Sequence, residues 1–158
     1  MSSLLGKPKA KTHKSMDMPT IMRMAGEIED LANDGQVSAT EIEDHAVDLG
    51  IPPAKLYAGL GMTPALTMKL EHDVQVLVCT GGCQDYGALP CLSRLLDLRQ
   101  ERLDEGLPAF DVVPRHCLNH CESGPVLEVR SADGTAVIVD ATPALMESAV
   151  EGLFGDDA

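Results

Sequence analysis

Residues 74–83 read VQVLVCTGGC, an apolar run that ends in a cysteine and a glycine-rich turn. A nearly continuous β-branched run of this kind is typical of a strand buried on both faces of a sheet. All five cysteines of the 158-residue chain lie from Cys79 to Cys121, and the rest of the chain has none. Cysteines that only filled a core would be scattered more evenly, so we expect four of the five thiols to meet at one metal centre.

The sequence after the glycine-rich turn predicts a helix and a second strand. Leucines recur at helical spacing over residues 88–103, and residues 110–113 (FDVV) predict a short strand. Strand, helix and strand in this order predict a parallel pair. Because the carboxyl ends of parallel strands meet at one edge of a sheet, the cysteines that follow the two strands should lie close together.

The last part of the chain predicts a hairpin and a final helix. Residues 126–130 and 135–139 are strand-like, and the Asp133-Gly134 dipeptide between them is a strong hairpin signal. Thr142 and Pro143 have the residue types of a helix cap and a first helical position. The helix that follows should turn three apolar residues inward: Leu145, Ala149 and Leu153.

These elements divide the chain into three parts. The order β-α-β-β-β-α over residues 71–158 predicts a compact thioredoxin-like α/β domain. Residues 17–70 contain three helical patterns and predict a small three-helix bundle that precedes the domain. Residues 1–16 show no sustained periodicity and predict a disordered basic tail.

The charge of the chain argues against two classes of partner. The formal net charge is −13, with 25 acidic residues against 12 lysines and arginines. Four of those cations are lysines of the predicted tail, so the remaining chain is more acidic still. Nucleic acid is therefore not an expected partner, because binding phosphates needs clustered cations. No apolar run approaches the ~20 residues that a spanning helix needs, so no membrane insertion is expected.

The spacing of the cysteines leaves three kinds of site open. Three residues separate Cys79 from Cys83, and three separate Cys117 from Cys121. Two facing pairs of thiolates suit a 2Fe–2S cluster or a structural zinc ion. A thiol–disulfide enzyme is the third hypothesis, although the chain has no Cys-x-x-Cys. Neighbouring glycines would leave backbone N–H groups free to bond sulfide, which favours the cluster.

Three motifs stand out in the second half of the chain: residues 78–81 (VCTG), residues 86–88 (YGA) behind a cysteine, and above all residues 117–125 (CLNHCESGP). With these motifs the second half resembles the thioredoxin-like 2Fe–2S ferredoxins. That family includes the small cluster subunit of respiratory complex I and of NAD-linked hydrogenases and formate dehydrogenases. Residues 49–57 (LGIPPAKLY) also resemble the helical extension of the complex I type subunits.

The resemblance implies a 2Fe–2S cluster held by Cys79, Cys83, Cys117 and Cys121, and a role in electron transfer. The family usually has four residues between its first two ligands, where this chain has three. Cys91 is therefore an alternative to Cys83, because some free-standing members take their second ligand from a similar spacing.

The resemblance also implies a place in a larger complex. The expected role is an electron-transfer subunit of an NAD(P)H-linked oxidoreductase, with no catalytic activity of its own. Its expected partners are larger flavin- and NAD-binding and iron–sulfur subunits, and a homo-oligomer is compatible with the sequence. No nucleotide-binding fingerprint is present. With no secretory signal visible and cysteines suited to a metal, we expect a cytoplasmic protein.

Overall fold

The computed structural model describes residues 16–63, 65–80, 88–115, 125–139 and 141–154. These ranges contain five helices and six strands in this order: α1 (Met18–Leu31), β1 (Gln36–Val37), α2 (Ala39–Leu49), α3 (Pro53–Gly61), β2 (Thr67–Met68), β3 (Gln75–Cys79), α4 (Ala88–Asp104), β4 (Asp111–Arg115), β5 (Leu127–Ser131), β6 (Gly134–Ile138) and α5 (Pro143–Phe154). The tail predicted for residues 1–16 lies, apart from Met16, outside the described residues. No described helix has both the length and the apolar character that crossing a membrane requires.

The three predicted N-terminal helices are present, and their ends follow local chemistry. Asp17 caps α1 by accepting a hydrogen bond from the Thr20 amide at 2.9 Å. Ser38 and Glu41 form the predicted capping box at the start of α2. Helix α1 crosses α3 so closely that a Cβ on Gly59 would lie 2.7 Å from the backbone of Met24.

The sheet confirms the predicted thioredoxin-like α/β fold. Its strand order is β4-β3-β5-β6, with β3 parallel to β4 and antiparallel to β5, and with β5 antiparallel to β6. The predicted parallel pair and the predicted hairpin are therefore both present. Strands β1 and β2 form a two-residue parallel pair, which joins the connection after α1 to the connection after α3. The sequence did not predict this pair.

The prediction for the inward face of α5 was wrong by one residue. Met146, Val150 and Phe154 are buried, whereas Leu145 and Leu153 are 47% and 39% exposed. The ring of Phe154 lies 6.2 Å from that of Phe110, centroid to centroid. Because this aromatic pair fixes the rotation of α5, the neighbouring apolar row turns toward solvent.

The helical part and the sheet share one apolar core and a buried polar junction. Arg99 of α4 is only 4% exposed, and its guanidinium contacts Glu43 of α2 at 3.2 Å and Glu71 at 3.8 Å. The carboxylate of Asp111, at the start of β4, accepts hydrogen bonds from the amides of Glu71 and His72 at 2.9 Å each. These contacts join α2, α4, β4 and the connection before β3.

Candidate metal centre

Cys79 lies at the carboxyl end of the buried strand β3. It is 1% exposed, and its backbone N–H donates to the carbonyl of Val126 at 3.2 Å. Cys79, Ala88 and Val126 form a small buried cluster separate from the main core. The sequence correctly predicted that Cys79 ends a buried strand, and Cys79 is itself almost completely buried.

Thr80 joins the end of β3 to the end of β4. Its backbone N–H and its hydroxyl both donate to the carbonyl of Arg115, at 2.7 Å and 3.1 Å. Arg115 is also the register partner of Cys79 in the parallel ladder. The two strand ends that precede residues 81–87 and residues 116–124 are therefore fixed side by side.

The far ends of the same two segments return to this place. Ala88, the first described residue after 81–87, belongs to the same buried cluster as Cys79. Pro125 is the first described residue after 116–124, and its carbonyl accepts a hydrogen bond from the Ala141 amide at 3.1 Å. The carbonyl of the next residue, Val126, accepts the hydrogen bond from the Cys79 amide. All four described ends of the cysteine-bearing segments thus lie around Cys79.

Three of the four predicted ligands lie outside the described residues: Cys83, Cys117 and Cys121. Within the ranges that are described, no group of three or more His, Cys, Asp or Glu side chains is placed to hold a metal ion. The structure therefore shows the surroundings of Cys79 and leaves the predicted ligand set as a prediction.

Cys91 occupies a different environment from Cys79. It lies in the first turn of α4, is 0% exposed and belongs to the main apolar core. Its thiol lies 3.8 Å from the carbonyl oxygen of Ala141, as a weak donor. Burial raises the pKa of Cys91 to about 11, which keeps the metal-free thiol neutral and disfavours the thiolate that nucleophilic attack would require.

Sequence reasoning missed the contact between α3 and this site. Gly61, the last residue of α3, packs so tightly that a Cβ there would overlap the hydroxyl oxygen of Thr80 and would lie 3.5 Å from Pro114. No periodicity reports such a contact, because it depends on how α3 crosses the sheet. Helix α3 therefore supports the residue that follows Cys79.

Comparison with known proteins finds structural similarity only. No protein-family model matches this sequence, and no curated protein is similar to it. A thioredoxin-like 2Fe–2S ferredoxin from Aquifex aeolicus is 18% identical, with a TM-score of 0.46 over 55% of this chain and 84% of that one. A second structure of the ferredoxin from that organism is 21% identical, with a TM-score of 0.44 over 51% and 84%. A variant of it with one cysteine replaced by serine is 19% identical, with a TM-score of 0.46 over 54% and 90%.

Proposed function

We propose that this protein transfers electrons through a 2Fe–2S cluster held by Cys79, Cys83, Cys117 and Cys121. The observation that carries the proposal is the convergence on Cys79 of all four described ends of the cysteine-bearing segments. A site assembled from two loops at one edge of a sheet needs this convergence.

The sequence distances fit this arrangement. Cys83 follows Cys79 by four residues and precedes Ala88 by five. Cys117 follows Arg115 by two residues, and Cys121 precedes Pro125 by four. Every proposed ligand is thus only a few residues from an anchor beside Cys79. Four cysteine thiolates are the ligand set that 2Fe–2S clusters ordinarily take.

The surroundings of Cys79 suit an electron-transfer centre. When bound, the cluster would accept and release single electrons. The chain would supply burial and hydrogen bonds, which are the means by which proteins set the potential of such a centre. The almost complete burial of Cys79, and its packing against Ala88 and Val126, exclude water from this side of the site.

The proposal assigns Cys91 a structural role and makes Cys83 the second ligand. The Cys91 thiol is completely buried, contacts the Ala141 carbonyl and has a raised pKa, so it is stable as a neutral core residue. The same features make it a poor nucleophile for thiol–disulfide chemistry, because the thiolate is the reactive form.

We further propose that the protein works as a subunit of an NAD(P)H-linked oxidoreductase complex in the cytoplasm. The support is the resemblance of residues 49–57 to the helical extension of complex I type subunits. In the structure this segment enters α3, which packs on Thr80 through Gly61. The helical extension thus contacts the residue that follows Cys79, one of the proposed cluster ligands. Its partners would be flavin- and NAD-binding and iron–sulfur subunits.

Metal and sulfide analysis of the full-length protein tests the proposed cofactor. Protein purified without oxygen, or reconstituted with iron and sulfide, should hold two irons and two acid-labile sulfides per chain and absorb visible light. One zinc per chain with no iron would instead identify the structural-zinc module. Protein without bound metal that reduces disulfides would identify the thiol enzyme.

A further inference from the structure

A groove of about 530 Å³ runs along the sheet next to Cys79. Its walls are the end of α3, the connection that contains β2, and strands β3 and β4, with Arg130 of β5 at its far end. Arg115, the register partner of Cys79, lies at the near end. The groove therefore starts beside the proposed cluster and leads away from it.

The groove has a charge opposite to that of the molecule. Its only charged residues, among the described residues that line it, are Arg115 and Arg130, both exposed. Glu128 accepts a hydrogen bond from Nε of Arg130, and no ion pair to Arg115 is found within the described ranges. The ion pair uses Nε of Arg130, and two arginines less one glutamate leave one net positive charge at the groove, on a chain with 25 acidic residues against 12 lysines and arginines.

Between the two arginines the groove is mainly apolar. Leu66, Leu70 and Val113 are among the residues that line it, and Leu70 is 52% exposed. A large aliphatic side chain that remains half in water, next to further apolar side chains, is a suitable contact for a partner's apolar residue.

The distance between the arginines argues for an extended segment over a small anion. Arg115 is level with Cys79 and Arg130 is level with Gln75, four residues earlier in β3. Four residues of strand and two strand spacings separate their backbones by about 16 Å. In an extended chain, two acidic side chains four residues apart lie on one face about 13 Å from each other, which matches two separate arginines better than one small anion does.

We propose that this groove docks an extended, acidic and apolar segment of the protein that exchanges electrons with the cluster. The proposal rests on the proposed function for the identity of its partner. The general acidity of the molecule does not prevent such docking, because exposed charges are screened beyond about 8 Å at physiological salt. The contacts inside the groove then decide the binding.

A labelled peptide tests the groove. The probe is a fluorescein-labelled seven-residue peptide, Gly-Glu-Ala-Leu-Ala-Glu-Gly, whose glutamates and leucine share one face when the peptide is extended. Its control carries lysine in place of both glutamates. Fluorescence anisotropy with the full-length protein should show binding of the acidic peptide and none of the lysine peptide. Arg115→Gln and Arg130→Gln should each weaken binding about fivefold, as for one exposed ion pair. Arg23→Gln, an exposed arginine of α1 outside the groove, should change nothing.

Three results would overturn the proposal. These are equal binding of both peptides, binding that is insensitive to both groove arginines, and complete displacement by millimolar inorganic phosphate, which would identify a small-anion site. Iron and sulfide analysis of the same samples separates the two proposals. If protein that holds the cluster fails to bind the peptide, the proposed docking site is overturned and the proposed function is not. Specific peptide binding by protein that cannot hold iron overturns the proposed function alone.

Discussion

At the scale of single residues, the two described cysteines lie in different surroundings despite similar burial. Cys79 ends a strand at the place where the four described ends of the cysteine-bearing segments meet. Cys91 packs inside the main core against Ala141. The sequence predicted the position of Cys79 because a β-branched run leads into it. It predicted Cys83 as the second ligand and left Cys91 as the alternative, because spacing does not show which thiol lies in a core.

Serine substitutions of these two cysteines test that assignment. Cys83→Ser should abolish stable cluster binding, because it removes one of four thiolates. Cys91→Ser should retain iron, sulfide and visible absorption, because its thiol only packs in the core. Both variants are compared after identical anaerobic reconstitution. Loss of the cluster in Cys91→Ser and its retention in Cys83→Ser would reverse the assignment.

Gly61 and Thr80 form a second residue-scale test. Gly61→Ala should destabilise the protein by about 1–3 kcal/mol, because the new methyl displaces the Thr80 hydroxyl from the Arg115 carbonyl. Thr80→Ala alone should cost about 1 kcal/mol, the usual net value of one hydrogen bond. In the double variant the steric conflict is gone, so its cost should be smaller than the sum of the single costs. Urea unfolding gives the three values.

The matched control for that cycle is Gly26→Ala in α1. A Cβ at Gly26 meets nothing within 4 Å, so this change should be neutral or stabilising. Gly61→Ala should also alter the electron paramagnetic resonance spectrum of the reduced cluster, and Gly26→Ala should not. Strictly additive costs in the cycle would contradict the proposed contact.

At the scale of elements, hydrophobic period predicted where helices and strands lie more reliably than which way they face. Strand β3, helix α4 and the β5–β6 hairpin were predicted because each has a clear period and a turn signal at its end. Helix α5 carries two neighbouring apolar rows, and period alone cannot choose between them. The choice depends on Phe110, which is distant in sequence and pairs with Phe154.

Truncation of two neighbouring residues tests the rotation of α5. Phe154→Ala should destabilise the protein by about 3 kcal/mol, because it removes a ring that packs on Phe110 and lies under the Arg102 guanidinium at 4.0 Å. Leu153→Ala, the matched control, should cost less than about 1 kcal/mol, because Leu153 is 39% exposed. Thermal or urea unfolding measures both. A larger loss for Leu153→Ala would contradict the orientation described here.

At the scale of the whole molecule, a buried polar junction holds the helical part against the sheet. Arg99 contacts Glu43 from α2 and Glu71 from the connection before β3. Burial raises the pKa of Glu43 by more than the nearby Arg99 lowers it. The ionised carboxylate therefore remains less favourable in the folded protein than in water, despite its ion pair. No local sequence pattern predicts this junction, because its members come from four separate elements.

The pKa of Glu43 gives the junction a pH dependence with a definite sign. Because the folded pKa lies above 4.5, the contribution of Glu43 to stability is largest below pH 4.5 and falls as pH rises through the folded pKa. The free energy of unfolding of the wild type, minus that of Glu43→Gln, should thus be smaller at pH 7 than at pH 4.5. Urea unfolding at both values measures it, and subtracting the variant removes titration elsewhere. A difference that grows with pH would contradict the assigned shift.

The proposed 2Fe–2S cluster, held by Cys79, Cys83, Cys117 and Cys121, can be observed directly. The most direct measurement is low-temperature electron paramagnetic resonance of the full-length protein, reconstituted without oxygen and reduced with dithionite. We expect a spin-one-half signal that integrates to about one spin per chain, as for a one-electron-reduced 2Fe–2S centre. A reconstituted and reduced protein with no such signal, and with no bound iron, would contradict it.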